Sequence, residues 1–356
     1  MSLEQFSKPV FAGHQTFHPR FGWIKKGFDA CREDPEVFNA ADAPLRLGVG
    51  KNMVEAIRFW CLATHVTAKV AHPTRPRTAV SVPTNLGEAL LGKNGLDPYF
   101  EDPSTLWVLH WQAVSAGSML PVWWSIFNEL PALEFADDDL LRYCEEEIGS
   151  TTWSQPNASS IKKDIDCLLR MYSNRQQTGR QTIDDLLDSP FREIGLIVPS
   201  PTAPHTHRFV LGPKPTLSNP VIAYACLDYM ARSEGASRAI SLSRLTADPG
   251  SPGRALKLTE AVILEALESE ILNHEALQLA SPGGASQLIV SGDPGSTAQD
   301  LMVQHHVRRG RKATVKVPGR LAGAKARQPL DSAVARIADA ANDVPALPFS
   351  DEGSAA

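Results

Sequence analysis

Apolar residues at helical spacing recur through most of this chain, and they give most of the expected elements. Pro19 starts a helix expected to run through Ala30, with Trp23, Ile24 and Phe28 on its apolar face. After a turn-rich stretch at 39–44, the segment LRLGVGKNMVEAIRFWCLATH puts Met53, Ile57, Trp60 and Cys61 on one helical stripe, with Asn52, Glu55 and Arg58 off it. Residues 79–83 read as a short strand, and Thr84-x-x-Gly87 opens a small helix through Leu91. From 106 to 148 the chain reads as helical and rich in tryptophan (Trp107, Trp111, Trp123, Trp124), with acidic runs at 137–139 and 145–147 on a solvated face. The segment SSIKKDIDCLLRMY predicts a helix capped by Ser160, with Ile161, Ile165, Leu168 and Tyr172 as one buried stripe.

Further on, residues 182–187 predict a short helix opened by a capping box, and 196–198 a strand. Asn219 and Pro220 read as N-cap and first turn of a helix through Met230, followed by a turn-rich bridge, SLSRLTADPGSPGRAL. Thr259 caps a helix with Ile263, Leu264, Leu267 and Ile271 as its stripe, and LQLASP and SQLIVSG form a hairpin around Gly283 and Gly284. Past Asp293 the periodicity dissolves. Residues 305–327 hold eight Lys or Arg and no acid, which reads as a disordered basic arm.

These elements give a mainly α fold with small β (α+β), with winged-helix-like modules at both ends of a helical middle region. The expected boundaries are 1–100, 101–212, 213–292 and a basic tail over 293–356, and the length suits several domains. A small helical cap is the alternative for the first module.

The net charge of −5 excludes uniform coating by nucleic acid, so contact with DNA has to come from local basic patches. The chain has no apolar run of membrane-spanning length and no secretory leader pattern, and its five scattered cysteines form no C-x-x-C pair. A soluble cytoplasmic protein with reduced thiols is the expectation.

Residues 13–27, GHQTFHPRFGWIKKG, are the densest polar cluster. His14 and His18 are candidate acid–base groups and Arg20 a phosphate clamp; the competing reading has both histidines bonding backbone at a domain seam. LGVGKN at 47–52 sets two glycines and Lys51 at a helix start, where backbone N–H groups attract phosphate; it lacks P-loop spacing, and a plain glycine turn is the alternative. Asp164, at the edge of a buried stripe beside Lys162 and Lys163, is a candidate metal ligand for phosphodiester cleavage, or else the partner of a nearby base. Glu193 stands in the same position. Candidate DNA contacts are Arg20, Lys25, Lys26, Arg46, Lys51, Asn52, Arg58, Lys162 and Lys163, with Arg308, Arg309, Arg311 and Lys312 in the arm.

Four stretches point to a family. FAGHQTFHPRFGW at 11–23, LRLGVGKNM at 45–53, LDPYFEDPSTLWVLHW at 96–111 and SPFREIGLI at 189–197 resemble the SspB-type DNA nickase family of bacterial DNA phosphorothioation systems. The likeness covers about residues 8 to 292. It implies a protein that nicks DNA so that sulfur can replace a non-bridging phosphate oxygen. The partners it implies are DNA, a cysteine desulfurase, an ATPase and an ATP-pyrophosphatase-like sulfur-transfer protein; a homodimer is also allowed. It supplies no catalytic motif that can be matched residue by residue.

Two function classes follow. One is a nicking phosphodiesterase using a divalent metal, magnesium or manganese; the other is a winged-helix adaptor that brings sulfur-transfer partners to DNA and cuts nothing. Convergence of the His/Arg cluster with Asp164 in space would favour the first. A transcription regulator is a weaker third, since nothing resembles an effector pocket.

Overall fold

The computed structural model describes residues 2–173, 189–201, 205–233, 238–310 and 317–342. The helix expected over 182–187, together with Arg311 and Lys312, lies outside them.

Helix α1 (Trp23–Glu33) starts later than Pro19 suggests, because Gly22 before it takes a left-handed φ of 77°. Its buried face is Trp23, Ile24, Gly27, Phe28 and Cys31. Gly27 permits close packing: a Cβ there would lie 2.5 Å from Cys61 Sγ and 2.6 Å from an Ile57 methyl carbon. Helix α2 (Ala43–Leu47) is stopped by left-handed Gly48, and α3 (Lys51–Ala63) buries Ile57, Trp60 and Cys61 as the stripe predicts. A strand the sequence reading missed, β1 (Thr67–Ala71), pairs antiparallel with β2 (Ala79–Pro83). Thr84 Oγ1 accepts the Gly87 N–H at 3.0 Å and caps α4 (Asn85–Leu91).

Helices α5 (Pro103–Val114) and α6 (Pro121–Asn128) follow, and α5 is buried on every side, as an all-round apolar helix must be. The four tryptophans at 107, 111, 123 and 124 are in the core. Strand β3 (Glu134–Ala136) leads into α7 (Asp137–Gly149), then α8 (Ala158–Tyr172). Asn157 caps α8, its side chain accepting the Ser159 N–H; Ser160 is already inside the first turn. Strands β4 (Ile197–Pro199) and β5 (Thr206–Phe209) complete an antiparallel sheet in the order β3-β5-β4.

The third region begins with α9 (Asn219–Arg232), whose N-cap is Ser218, one residue before the expected Asn219. The stretch read as a turn-rich bridge contains β6 (Ala239–Ser241), α10 (Leu242–Ala247) and α11 (Pro252–Ala255). Helix α12 (Glu260–Ile271) and the hairpin of β7 (Leu277–Ala280) with β8 (Gln287–Val290) follow, in a sheet ordered β6-β8-β7.

The expected disordered tail is corrected at two places. Residues 294–308 form α13 (Pro294–Arg308), capped by Asp293 and packed along α9 through buried Ala298, Leu301 and Met302. Residues 317–342 return to the first module: α14 (Asp331–Asn342) sets Ala333 and Ile337 against Val80 and Val82 of the hairpin. A single apolar cluster runs from Leu3 to Ala326, across the boundaries expected near 100, 212 and 292. No helix among the described residues is long and apolar enough to cross a membrane. The fold is mainly α with small sheets, α+β.

Candidate functional site

Residues 12–17 form a tight loop in which Ala12, Gln15 and Thr16 all hold left-handed φ values, of 53°, 51° and 67°. Non-glycine residues in that region are strained, so the surroundings must hold them there. Asp164 Oδ1 on α8 accepts the Ala12 N–H at 2.9 Å and lies 2.8 Å from His14 Nε2. One and a half turns along the same helix, Arg170 Nη2 donates to the Thr16 carbonyl at 3.0 Å. Trp60 Nε1 on α3 donates to the Phe17 carbonyl at 2.8 Å. A side chain at Gly13 would force the Phe59 ring to move, since a Cβ there would sit 2.5 Å from it.

His14 and Asp164 therefore do converge, but inside the protein. They are 0% and 2% exposed. The His14 ring stacks 6.1 Å from Trp60 and meets Phe59 and Trp123 edge-on at 6.0 and 5.8 Å. Its Nδ1 has no hydrogen-bond partner among the described residues. Burial lifts the Asp164 carboxyl above the usual range, against the opposing pull of His14 and the Ala12 N–H. This setting does not fit a divalent ion. Magnesium keeps several waters, whereas Asp164 is sealed from solvent and its Oδ1 already takes two donors. No group of three or more His, Cys, Asp or Glu suited to a metal occurs among the described residues.

The other nominated residues lie at or near the surface. His18 is half-buried beside buried Pro19. The Arg20 guanidinium sits 5.3 Å from the Trp23 ring and 5.9 Å from that of Phe17. Lys25 pairs with Asp29, Lys26 Nζ caps the end of α2 by donating to the Leu47 carbonyl, and Arg46 pairs with Asp34 at 2.6 Å. Lys51 and Asn52 are exposed in the first turn of α3, which no side chain caps. Arg58 is half-buried and donates to Asn39 Oδ1 at 3.3 Å; burial lowers its pKa. Lys162, Lys163 and Glu193 are exposed. Arg308 is exposed at the end of α13, whereas Arg309 is held by Asp102 at 2.8 Å.

Several polar groups that sequence reasoning missed hold the core together. Asp102 caps α5 by accepting the Ser104 N–H and pairs with His305 Nε2 at 3.3 Å; burial opposes its ionisation, yet these bonds hold its carboxyl well below the usual range. His110 on α5 links α8 to the end of α11. Its Nε2–H donates to the Ala255 carbonyl at 3.0 Å, which leaves Nδ1 to accept the Tyr172 hydroxyl at 2.8 Å. Lys214 Nζ donates to three carbonyls, those of Gly212, Leu256 and Lys257, while Lys257 Nζ donates to the Phe127 carbonyl. Burial pushes both lysines down to about 7. Arg327, expected in the arm, donates instead to Gln112 Oε1 and to the carbonyls of Gln112 and Ala116. Asp102, His110, Lys214, Lys257 and Arg327 are scattered along the chain at no motif spacing, so the sequence pattern does not reveal them.

A mainly helical chain with this clamped histidine loop has known relatives. The chain belongs to the family described as protein of unknown function (DUF4007), whose profile matches residues 11–306. It is similar over nearly its whole length to SspB. A magnesium-ion-bound SspB crystal structure is 35% identical with a TM-score of 0.84, the match covering 96% of this chain and 98% of that one. A second SspB crystal structure is 36% identical with a TM-score of 0.82, covering 96% and 97%. The SspB-type likeness read from the four sequence stretches is borne out. None of the curated proteins matches this chain.

Proposed function

We propose that this chain acts on DNA in a bacterial phosphorothioation system, nicking one strand so that sulfur can replace a non-bridging phosphate oxygen. The observation that carries this reading is the end-to-end likeness to SspB at 35% identity. Its working partners are then DNA and the desulfurase, ATPase and sulfur-transfer proteins of that system.

The clamp on residues 12–17 leaves His18 and Arg20 nearer the surface than His14, so these two would meet a phosphate first. Lys51 adds a charge to the uncapped start of α3, where backbone N–H groups favour an anion. We read the order α9, β6, α10, α12, β7, β8 as a winged helix, but one that does not face DNA. The exposed positions of α12 include Glu260, Glu265 and Glu268, which would repel phosphate.

Supercoiled plasmid incubated with pure protein, with and without magnesium or manganese, tests the reading. Conversion to the open-circle form is expected, with loss of activity in Arg20→Ala at an unchanged melting temperature. DNA affinity should fall with salt, and Lys51→Ala should lower that slope by about 0.9 for one lost phosphate contact. A second reading, a DNA-binding adaptor that cuts nothing, is favoured by one observation: His14 and Asp164 are sealed from solvent. DNA binding without nicking under either metal would select it.

A further inference from the structure

Phe21 and Tyr99 are large rings left 52% and 75% exposed. The Lys25 ammonium lies 5.7 Å from the centre of the Tyr99 ring, and Arg20 and Phe21 occupy the turn just before α1, which carries Lys25. The loop that carries Tyr99 is braced from within. Buried Asp97 accepts the Glu101 N–H at 2.9 Å, the Asp102 N–H at 3.1 Å and the Thr105 hydroxyl at 2.6 Å. Next to Tyr99, Phe100 packs on the core and takes a left-handed φ of 58°. With one neighbour anchored inward and the loop tied by a carboxylate, Tyr99 is held outward on a fixed backbone. A preset ring loses little conformational entropy on binding.

Exposed rings interleaved with cations match the chemistry of a single nucleic-acid strand, whose bases stack on aromatic faces while its phosphates meet Lys and Arg. A duplex hides its base faces, and a strand opened at a nick does not. We infer that Tyr99, with Lys25 beside it and Phe21 nearby, is a stacking platform for an unstacked nucleobase of single-stranded DNA. The inference rests on the proposed action on DNA.

The test uses the full chain, a labelled single-stranded oligonucleotide and the matching duplex. Tyr99→Ala should weaken single-strand binding about 5- to 150-fold, the range for one lost base–aromatic stack. Duplex affinity and the salt slope should stay as in the unaltered chain, because no phosphate contact is removed, and Tyr99→Phe should bind like the unaltered chain. Independently of any variant, an aminopurine base in the strand should be quenched when the unaltered chain binds. Equal single-strand affinity for Tyr99→Ala, or a Tyr99→Phe as weak as Tyr99→Ala, overturns the platform. Normal strand binding by Tyr99→Ala with loss of sulfur incorporation in cells would assign the face to a protein partner, again overturning it. If the unaltered chain binds duplex but Tyr99→Ala changes nothing, only the platform falls. If it binds neither form of DNA, the proposed function falls as well.

Discussion

Asp164→Ala should destabilise the protein by about 3–5 kcal/mol, the cost of removing one partner from a buried hydrogen-bonded pair. The carboxylate holds the Ala12 N–H and His14 Nε2 together; both would lose this partner, and the His14 ring lies among Trp60, Phe59 and Trp123. Asp164→Asn keeps an oxygen for the same two donors but loses the charge and exchanges the second oxygen for an NH2 donor, so it should cost about 1–3 kcal/mol. Denaturant unfolding of the two variants measures the difference. The same pair separates anchoring from chemistry. With Asp164 acting as the anchor of the strained loop, a folded Asp164→Asn protein should keep its nicking activity. A stable Asp164→Asn protein that binds DNA yet nicks several orders of magnitude more slowly would show that the carboxylate takes part in the reaction.

Acid should loosen the fold through His110. Burial pushes its pKa from 6.5 down to about 4, and the nearby Lys214 and Lys257 charges lower it further against the opposing pull of the Ala255 carbonyl. The unfolded chain therefore binds a proton between pH 6.5 and 4 that the folded chain refuses. Stability from this group is complete above pH 6.5 and is lost as pH falls through about 4. The loss amounts to about 3 kcal/mol at 1.36 kcal/mol per pKa unit. His110→Gln, which cannot titrate, should show an acid limb shallower by that amount in urea unfolding at pH 6.5 and pH 4. Parallel limbs for the two proteins would place the acid sensitivity elsewhere.

Removing residues after Asp293 would strip α13 and its buried Leu301 and Met302, so a fall in DNA affinity would report unfolding and not the loss of a basic arm.

How legible the chain was follows from the kind of interaction involved. Helix α8 could be read in advance because Ile161, Ile165, Leu168 and Tyr172 repeat at helical spacing and all are buried. The Thr84 cap and the β7–β8 hairpin were equally legible, since each depends on residues a few positions apart. Helix α13 was hidden because its buried face is completed by His305 and His306, which count as polar until the fold supplies partners: Asp102, some two hundred residues earlier, for His305, and the Met302 carbonyl for His306. Strand β1 was hidden for a similar reason: TAKVA has little apolar weight of its own and gains its place by pairing with β2.

For the candidate site, sequence alone located the polar cluster at 13–27 and found that Asp164 needed a partner, because local composition and the edge of a helical stripe show both. It could not tell that each answers the other. His14 and Asp164 meet across 150 positions of chain, and their burial depends on Trp60 and Trp123 closing over them. Periodicity is a property of neighbours along the chain and survives without a fold. Solvent exposure, and the chemistry it permits, is decided by which distant side chains pack on top.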